Sequence, residues 1–190
     1  METTMRAFIA IDLDPEIKKN ISDFLRRLKK LEQPKVGWIK EQGMHLTLKF
    51  LGEIDEAQAT RVQGLMKDVA ALARAFSLKF QGTGFFPPPP KLPRVLWIGA
   101  AGEPTLGELQ ERLESGLEKL GFSRENRPFH PHLTLGRVKS PAGLGEVIAE
   151  LEKNKEAGFG EMVVKKVTLF KSTLRPSGAE YSVLEECSFL

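Results

Sequence analysis

Two of the three histidines in this chain stand in the same four-residue phrase, HLTL at 45–48 and again at 132–135. In a strand successive side chains face opposite sides, so His45 and Thr47 share one face while Leu46 and Leu48 share the other. His132 and Thr134 alternate with Leu133 and Leu135 in the same way. Each phrase therefore offers an imidazole and a hydroxyl from a strand whose reverse side is apolar. An unperturbed imidazole titrates near pH 6.5, so of two in one cleft one can hold a proton while the other lacks one. Well-placed general acids and bases are each worth ~10²–10⁴-fold in rate. Threonine hydroxyls can donate to the non-bridging oxygens of a phosphate without a metal. The set suits attack at phosphorus with departure of an alkoxide. Two structural histidines satisfied by backbone partners would leave the same tetrads. Duplication of the whole phrase, at about half the chain length, favours the catalytic reading.

The elements that must carry these tetrads follow from periodicity and punctuation. MRAFIAID, residues 5–12, alternates with apolar residues on both faces and reads as a strand inside a sheet. Asp14 and Pro15 open a helix whose apolar positions run from Ile17 to Leu31, ending near Gln33-Pro34. VGWI at 36–39 and HLTLKFLG at 45–52 read as strands, and Asp55 with Gln58 forms a capping-box pattern that opens a second helix over 56–74. FSLKFQGTGFF and RVLWIGA are strands separated by the stiff PPPPKLP loop. A third helix carries Leu106 to Leu120 and closes at Gly121. After the second tetrad come a helix over 144–151, introduced by Ser140-Pro141, and two closing strands, FGEMVVKKVTLFKSTL and AEYSVLEECSF.

Four helices and about eight strands, without strict alternation, predict an α+β fold with mostly antiparallel sheets. The paired tetrads predict a bilobal pseudo-two-fold duplication around a central cleft, a single domain over 1–190. Composition excludes more than it identifies. No apolar run approaches a membrane span and the N-terminus lacks a signal-peptide pattern, so a soluble cytoplasmic protein is expected. The single cysteine, Cys187, excludes an internal disulfide and a thiolate-rich zinc site, and is expected to pack. The formal net charge of +3 is compatible with a polyanion and too mild to identify one.

RAFIAI at 6–11, HLTLKFLGE at 45–53, GFFPPPPKLPRVLWIG at 84–99 and RPFHPHLTLGR at 127–137 together resemble the two-histidine phosphoesterase superfamily. Within it, the match is to the RNA 2′,3′-cyclic phosphodiesterases once named 2′,5′ RNA ligases. The resemblance implies a bilobal α+β fold and hydrolysis of an RNA 2′,3′-cyclic phosphate end to a 2′-phosphate, with no metal and no cofactor. It implies His45 as proton donor and His132 as proton acceptor, with Thr47 and Thr134 on the phosphate oxygens. The partner expected is an RNA bearing such an end, tRNA fragments and small cyclic nucleotides included, met by a monomer. The alternatives are the reverse reaction, 2′,5′ ligation, and a non-catalytic RNA-binding module.

Further binding candidates are less sharply specified. Arg137 matches a family arginine associated with the phosphate, yet regular alternation puts it opposite His132, and only a bend or bulge after Gly136 brings it round. Lys49 has the parity to share the face of His45, and equally reads as a solvated edge lysine. Trp38, Phe85, Phe86 and Phe129 could stack on a base, with Phe85 and Phe86 the expected cleft rim. His130 is expected to be a neighbour of the site, and Trp97 to lie in the core.

Overall fold

A computed structural model describes residues 4–31, 35–102, 104–176 and 178–190. Strand β1 (Met5–Asp12) leads into α1 (Pro15–Leu28) and β2 (Val36–Trp38). A one-turn 3-10 helix at Glu41–Gly43 precedes β3 (His45–Ile54), α2 (Glu56–Ala70) and β4 (Phe76–Phe86). Then come β5 (Val95–Ala101), α3 (Thr105–Lys119), β6 (His132–Val138) and α4 (Gly145–Lys153), and the described chain closes with β7 (Gly158–Val164), β8 (Lys166–Arg175) and β9 (Gly178–Ser188).

The strands form two antiparallel sheets, ordered β3-β1-β8-β9 and β2-β6-β5-β4-β7. Set β2 aside and the two correspond strand for strand. In each, the tetrad strand lies beside the strand that precedes it by one helix, β3 beside β1 and β6 beside β5. The lobes are not simply the two halves of the chain. Strand β2, from the first half, extends the second sheet beyond β6, while β8 and β9, at the end, complete the first. The stretch expected as one strand from Phe159 onward divides at Lys165, and its two parts serve different sheets. Strand-forming residues continue on both sides of Lys165 and Lys166, so the stretch gives no local signal of such a crossing.

Local signals held where the chemistry was specific. The Asp55 side chain accepts from the Gln58 amide at 2.7 Å while the Gln58 side chain accepts from the Asp55 amide at 3.0 Å, so the capping box is complete. Gly121 stops α3 with φ at +89°, its amide donating to Glu118 while Phe122 donates to Leu117. Helices α1 and α2 end before the expected boundaries, at Leu28 and Ala70. The α1 endpoint expected from the sequence, Gln33-Pro34, lies outside the described residues.

One contiguous apolar cluster runs through both lobes and takes in Ile9 and Ile11 of β1, Leu46 and Leu48 of β3, and Leu133 and Leu135 of β6. β1 sits between β3 and β8, and apolar clusters cover both of its faces. Its odd-numbered residues enter the main core. Phe8 and Ala10, on the opposite face, join Phe170 in a small second cluster with Tyr181 packed against it. Cys187 is buried, as its expected packing role requires.

Candidate active site

The two tetrads share more than their letters. Ala10 pairs with Thr47 and the next residue of β1, Ile9, pairs with Lys49, so Leu48 is an extra residue in β3. In the other lobe Trp97 pairs with Thr134 and Leu96 with Gly136, which makes Leu135 the extra residue of β6. Both strands thus carry a β-bulge at the fourth residue of the tetrad. Before the bulge alternation is regular, with Leu46, Leu48, Leu133 and Leu135 fully or nearly fully buried and the histidines and threonines half-buried on the other face. After it, parity is reversed.

That reversal decides the two undecided basic residues. Lys49 turns inward beneath β3, where its amino group donates to Glu114 Oε2 of α3 at 2.8 Å and to the Ser123 carbonyl at 2.7 Å. Glu114 is held further by Gln110 and by the amide of Glu125. Lys49 is therefore a buried strut between β3 and α3 rather than a cleft residue. Arg137 moves the opposite way, onto the His132 face, where its charge reaches both His132 and Tyr181. It makes no ion pair or side-chain hydrogen bond among the described residues.

The histidines sit in different surroundings. The His45 ring lies 4.6 Å from Phe8 and 5.7 Å from Phe170, with the edge-on ring of Tyr181 at 5.1 Å. This aromatic enclosure strips water from the imidazole and lowers its pKa to about 4. Asp12, its cross-strand partner, pulls the value back up, and Lys18, bonded to Asp12 at 2.8 Å, offsets part of that pull. His132 is also held below its ordinary value, first by burial, with Arg137 adding to the effect and its bond to the His130 carbonyl opposing it.

His132 Nδ1 lies 2.7 Å from the His130 carbonyl oxygen. A carbonyl only accepts, so Nδ1 carries the hydrogen and the neutral ring presents Nε2 as a bare acceptor. His130 contributes to this through its backbone, and its side chain is exposed. Phe86 meets the His132 ring edge-on at 5.3 Å and Trp97 at 5.2 Å.

Trp97 corrects the sequence expectation. Cross-strand from Thr134, it shares the His132 face instead of entering the core. Gly84 permits this, because a Cβ there would lie 2.4 Å from the indole. Phe85, Trp38 and Phe129 pack against the main core, so of the four proposed stacking rings only Phe86 reaches a histidine. Phe85 is set by alternation, being paired with buried Leu96.

The strands β3 and β6 lie beside each other across the lobes. The charge of Arg137, on the His132 side, is felt at Tyr181, whose ring packs on His45. Among the described residues, Trp97 Nε1 and Thr168 Oγ1 are the buried side-chain polar atoms that find no partner. Trp97 pairs with Thr134, and Thr168 pairs with Ala10, which in turn pairs with Thr47.

Sequence reasoning missed Tyr181, Phe170 and Asp12 as surroundings of His45. Phe8 was legible in principle from the alternation of β1. Tyr181 and Phe170 were not, since β8 and β9 join the first sheet only through tertiary pairing. Among the described residues, no group of three or more His, Cys, Asp or Glu side chains could hold a metal ion, and no helix is long and apolar enough to cross a membrane.

Comparison with known proteins gives the family of the chain. Residues 14–175 match the model of the 2′-5′ RNA ligase superfamily. The RNA 2′,3′-cyclic phosphodiesterase of Thermotoga maritima is 38% identical over 97% of this chain and 96% of its own. That of Methanothermobacter thermautotrophicus is 36% identical over 95% and 97%. Among solved structures, TT0787 of Thermus thermophilus superposes with a TM-score of 0.82 at 31% identity, over 97% of this chain and 98% of its own. Escherichia coli LigT complexed with 3′-AMP superposes with a TM-score of 0.76 at 26% identity, over 98% and 99%. With matched tetrad strands, the fold around them and this breadth of similarity, the chain belongs to the 2′-5′ RNA ligase superfamily and groups there with the RNA 2′,3′-cyclic phosphodiesterases.

Proposed function

We propose that the protein hydrolyses 2′,3′-cyclic phosphate ends of RNA to 2′-phosphomonoesters by paired-histidine acid-base catalysis, with no metal ion taking part. The observation that carries this reading is the unlike preparation of two like tetrads. His132 is fixed by the His130 carbonyl as an Nε2 acceptor, whereas His45 has its basicity suppressed by an aromatic enclosure. A base needs a free lone pair, and an acid is stronger the lower its pKa.

In the proposed step His132 Nε2 takes a proton from water as the water oxygen attacks phosphorus. The bond from phosphorus to the 3′ oxygen breaks, and protonated His45 delivers a proton to that oxygen. Thr47 and Thr134 donate to the non-bridging oxygens, where charge grows in the transition state. Arg137 adds a guanidinium able to grip two oxygens at once. His45 is mostly unprotonated in the free protein at neutral pH. The negative charge of a bound phosphodiester favours its protonated form, so substrate brings the acid into its working state.

The test is a short RNA ending in a 2′,3′-cyclic phosphate, with the product's phosphate position determined. A 2′-phosphate is expected, in chelator as in its absence. His45→Ala and His132→Ala should each lower turnover by ~10²–10⁴-fold while the protein stays folded. Full activity in either variant, or a 3′-phosphate product, would refute the assignment of roles.

A further inference from the structure

The two buried polar atoms without partners, Trp97 Nε1 and Thr168 Oγ1, occupy equivalent rows of the two sheets. In the first lobe the row runs Thr47, Ala10, Thr168, and in the second Thr134, Trp97, Gly84. Where the second row carries an indole lying over its glycine, the first carries only the methyl group of Ala10, with the Thr168 hydroxyl beyond it. The next row of the first lobe is Phe50, Phe8, Phe170. Rings converge above Ala10, which is fully buried with Phe8 and Phe170. His45 of β3 meets Phe8 of β1 at 4.6 Å, Phe170 of β8 at 5.7 Å and Tyr181 of β9 at 5.1 Å. The imidazole therefore reaches across β1 toward β8, where Thr168 stands next to Phe170 on the same face.

Thr168 is 0% exposed, yet its hydroxyl is unbonded. A buried hydroxyl left in that state costs stability, and proteins satisfy nearly all of them. The histidines show a matching gap. His132 Nδ1 is tied to the His130 carbonyl, while His45 makes no side-chain hydrogen bond among the described residues. We infer that Thr168 is the positioning residue of His45, its hydroxyl oxygen accepting from the imidazole nitrogen that does not face the leaving oxygen, a role that rests on the proposed reaction at this site. A protonated imidazole has two N–H groups. One points to the 3′ oxygen, and the rings of Phe8 and Phe170 offer the other no lone pair. That second N–H stays on the ring before and after the transfer, so an acceptor is what the position requires. Thr168 thus does for the acid what the His130 carbonyl does for the base. Catalytic hydrogen bonds of this kind are often long in the free protein and tighten when substrate is bound.

The test compares wild type, Thr168→Val and Thr168→Ser on adenosine 2′,3′-cyclic phosphate across pH. Asp12, Lys18 and Tyr181 also face His45, and Glu186, cross-strand from Thr168, is bonded to Lys166; all are kept in the three proteins. Loss of a hydrogen bond to a charged group should lower kcat roughly 10-fold or more in Thr168→Val, with KM within about 3-fold. The alkaline limb of its kcat profile should move about one pH unit lower, because His45 acts protonated and gives up its proton sooner without the acceptor. Thr168→Ser should restore both. Urea unfolding should find Thr168→Val at least as stable as wild type, since a methyl group replaces an unbonded hydroxyl. A less stable or unfolded Thr168→Val, an unmoved limb, or no rescue by serine would overturn the inference. NMR titration of the His45 ring with adenosine 2′-phosphate bound gives a readout independent of turnover. A lower His45 midpoint in Thr168→Val supports the bond even if no cyclic phosphate is cleaved, a failure that would count against the proposed reaction alone, whereas equal midpoints overturn it.

Discussion

His45 gives the sharpest quantitative expectation. Its enclosure by Phe8, Phe170 and Tyr181 lowers its pKa from 6.5 to about 4. In the unfolded chain the ring is hydrated and titrates near 6.5. Above pH 6.5 both states carry it neutral, and it adds no pH dependence. As pH falls below 6.5 the unfolded chain takes up a proton that the folded protein refuses until about pH 4, so stability is lost across that window. With 1.36 kcal/mol for each tenfold difference in proton affinity, the loss at pH 4 is about 3 kcal/mol. His45→Gln keeps a polar side chain of similar reach and removes the titration. Urea unfolding of both proteins at intervals from pH 7 to pH 4 isolates the effect, because the carboxylates and His132 titrate in both. Wild type should lose about 3 kcal/mol more than the variant over this range, with unchanged urea slopes. A difference that stays flat within about 0.5 kcal/mol would refute the claim that burial in this aromatic enclosure governs His45.

Two further outcomes follow from the same geometry. Both histidines are held below their ordinary values, so kcat/KM should peak on the acid side of pH 6.5, and kcat should peak at higher pH because bound phosphate raises His45; pH-rate profiles measured at limiting and saturating substrate would check this. Lys49→Met leaves Glu114 buried without its cation and should cost about 3–5 kcal/mol by chemical denaturation, with kcat/KM per folded molecule unchanged and most of the stability returned in Lys49→Met/Glu114→Leu; a large activity loss in a fully stable Lys49→Met protein would instead restore Lys49 to the cleft.

Much of this protein could be read from one dimension. Strand parity alone put His45 beside Thr47 and His132 beside Thr134, with four leucines behind, because alternation along a strand is a purely local property. The Asp55 and Gln58 capping pair, the Gly121 stop and the two-faced first strand were legible for the same reason. The bulges were not. HLTLKF and HLTLGR contain nothing that marks the extra residue, since a bulge is defined by the partner strand it fails to match. That register shift reverses the fate of the residues just beyond it, taking Lys49 into an ion pair and turning Arg137 and Phe50 to the histidine face of their strands. Tertiary pairing likewise decided that the last two strands wrap back onto the first lobe, carrying Phe170 and Tyr181 to His45 and setting its basicity. Side-chain chemistry and its local facing belong to the sequence, while proton affinity belongs to the environment, which for His45 joins Phe8 and Asp12 of the neighbouring strand to Phe170 and Tyr181, more than a hundred positions away.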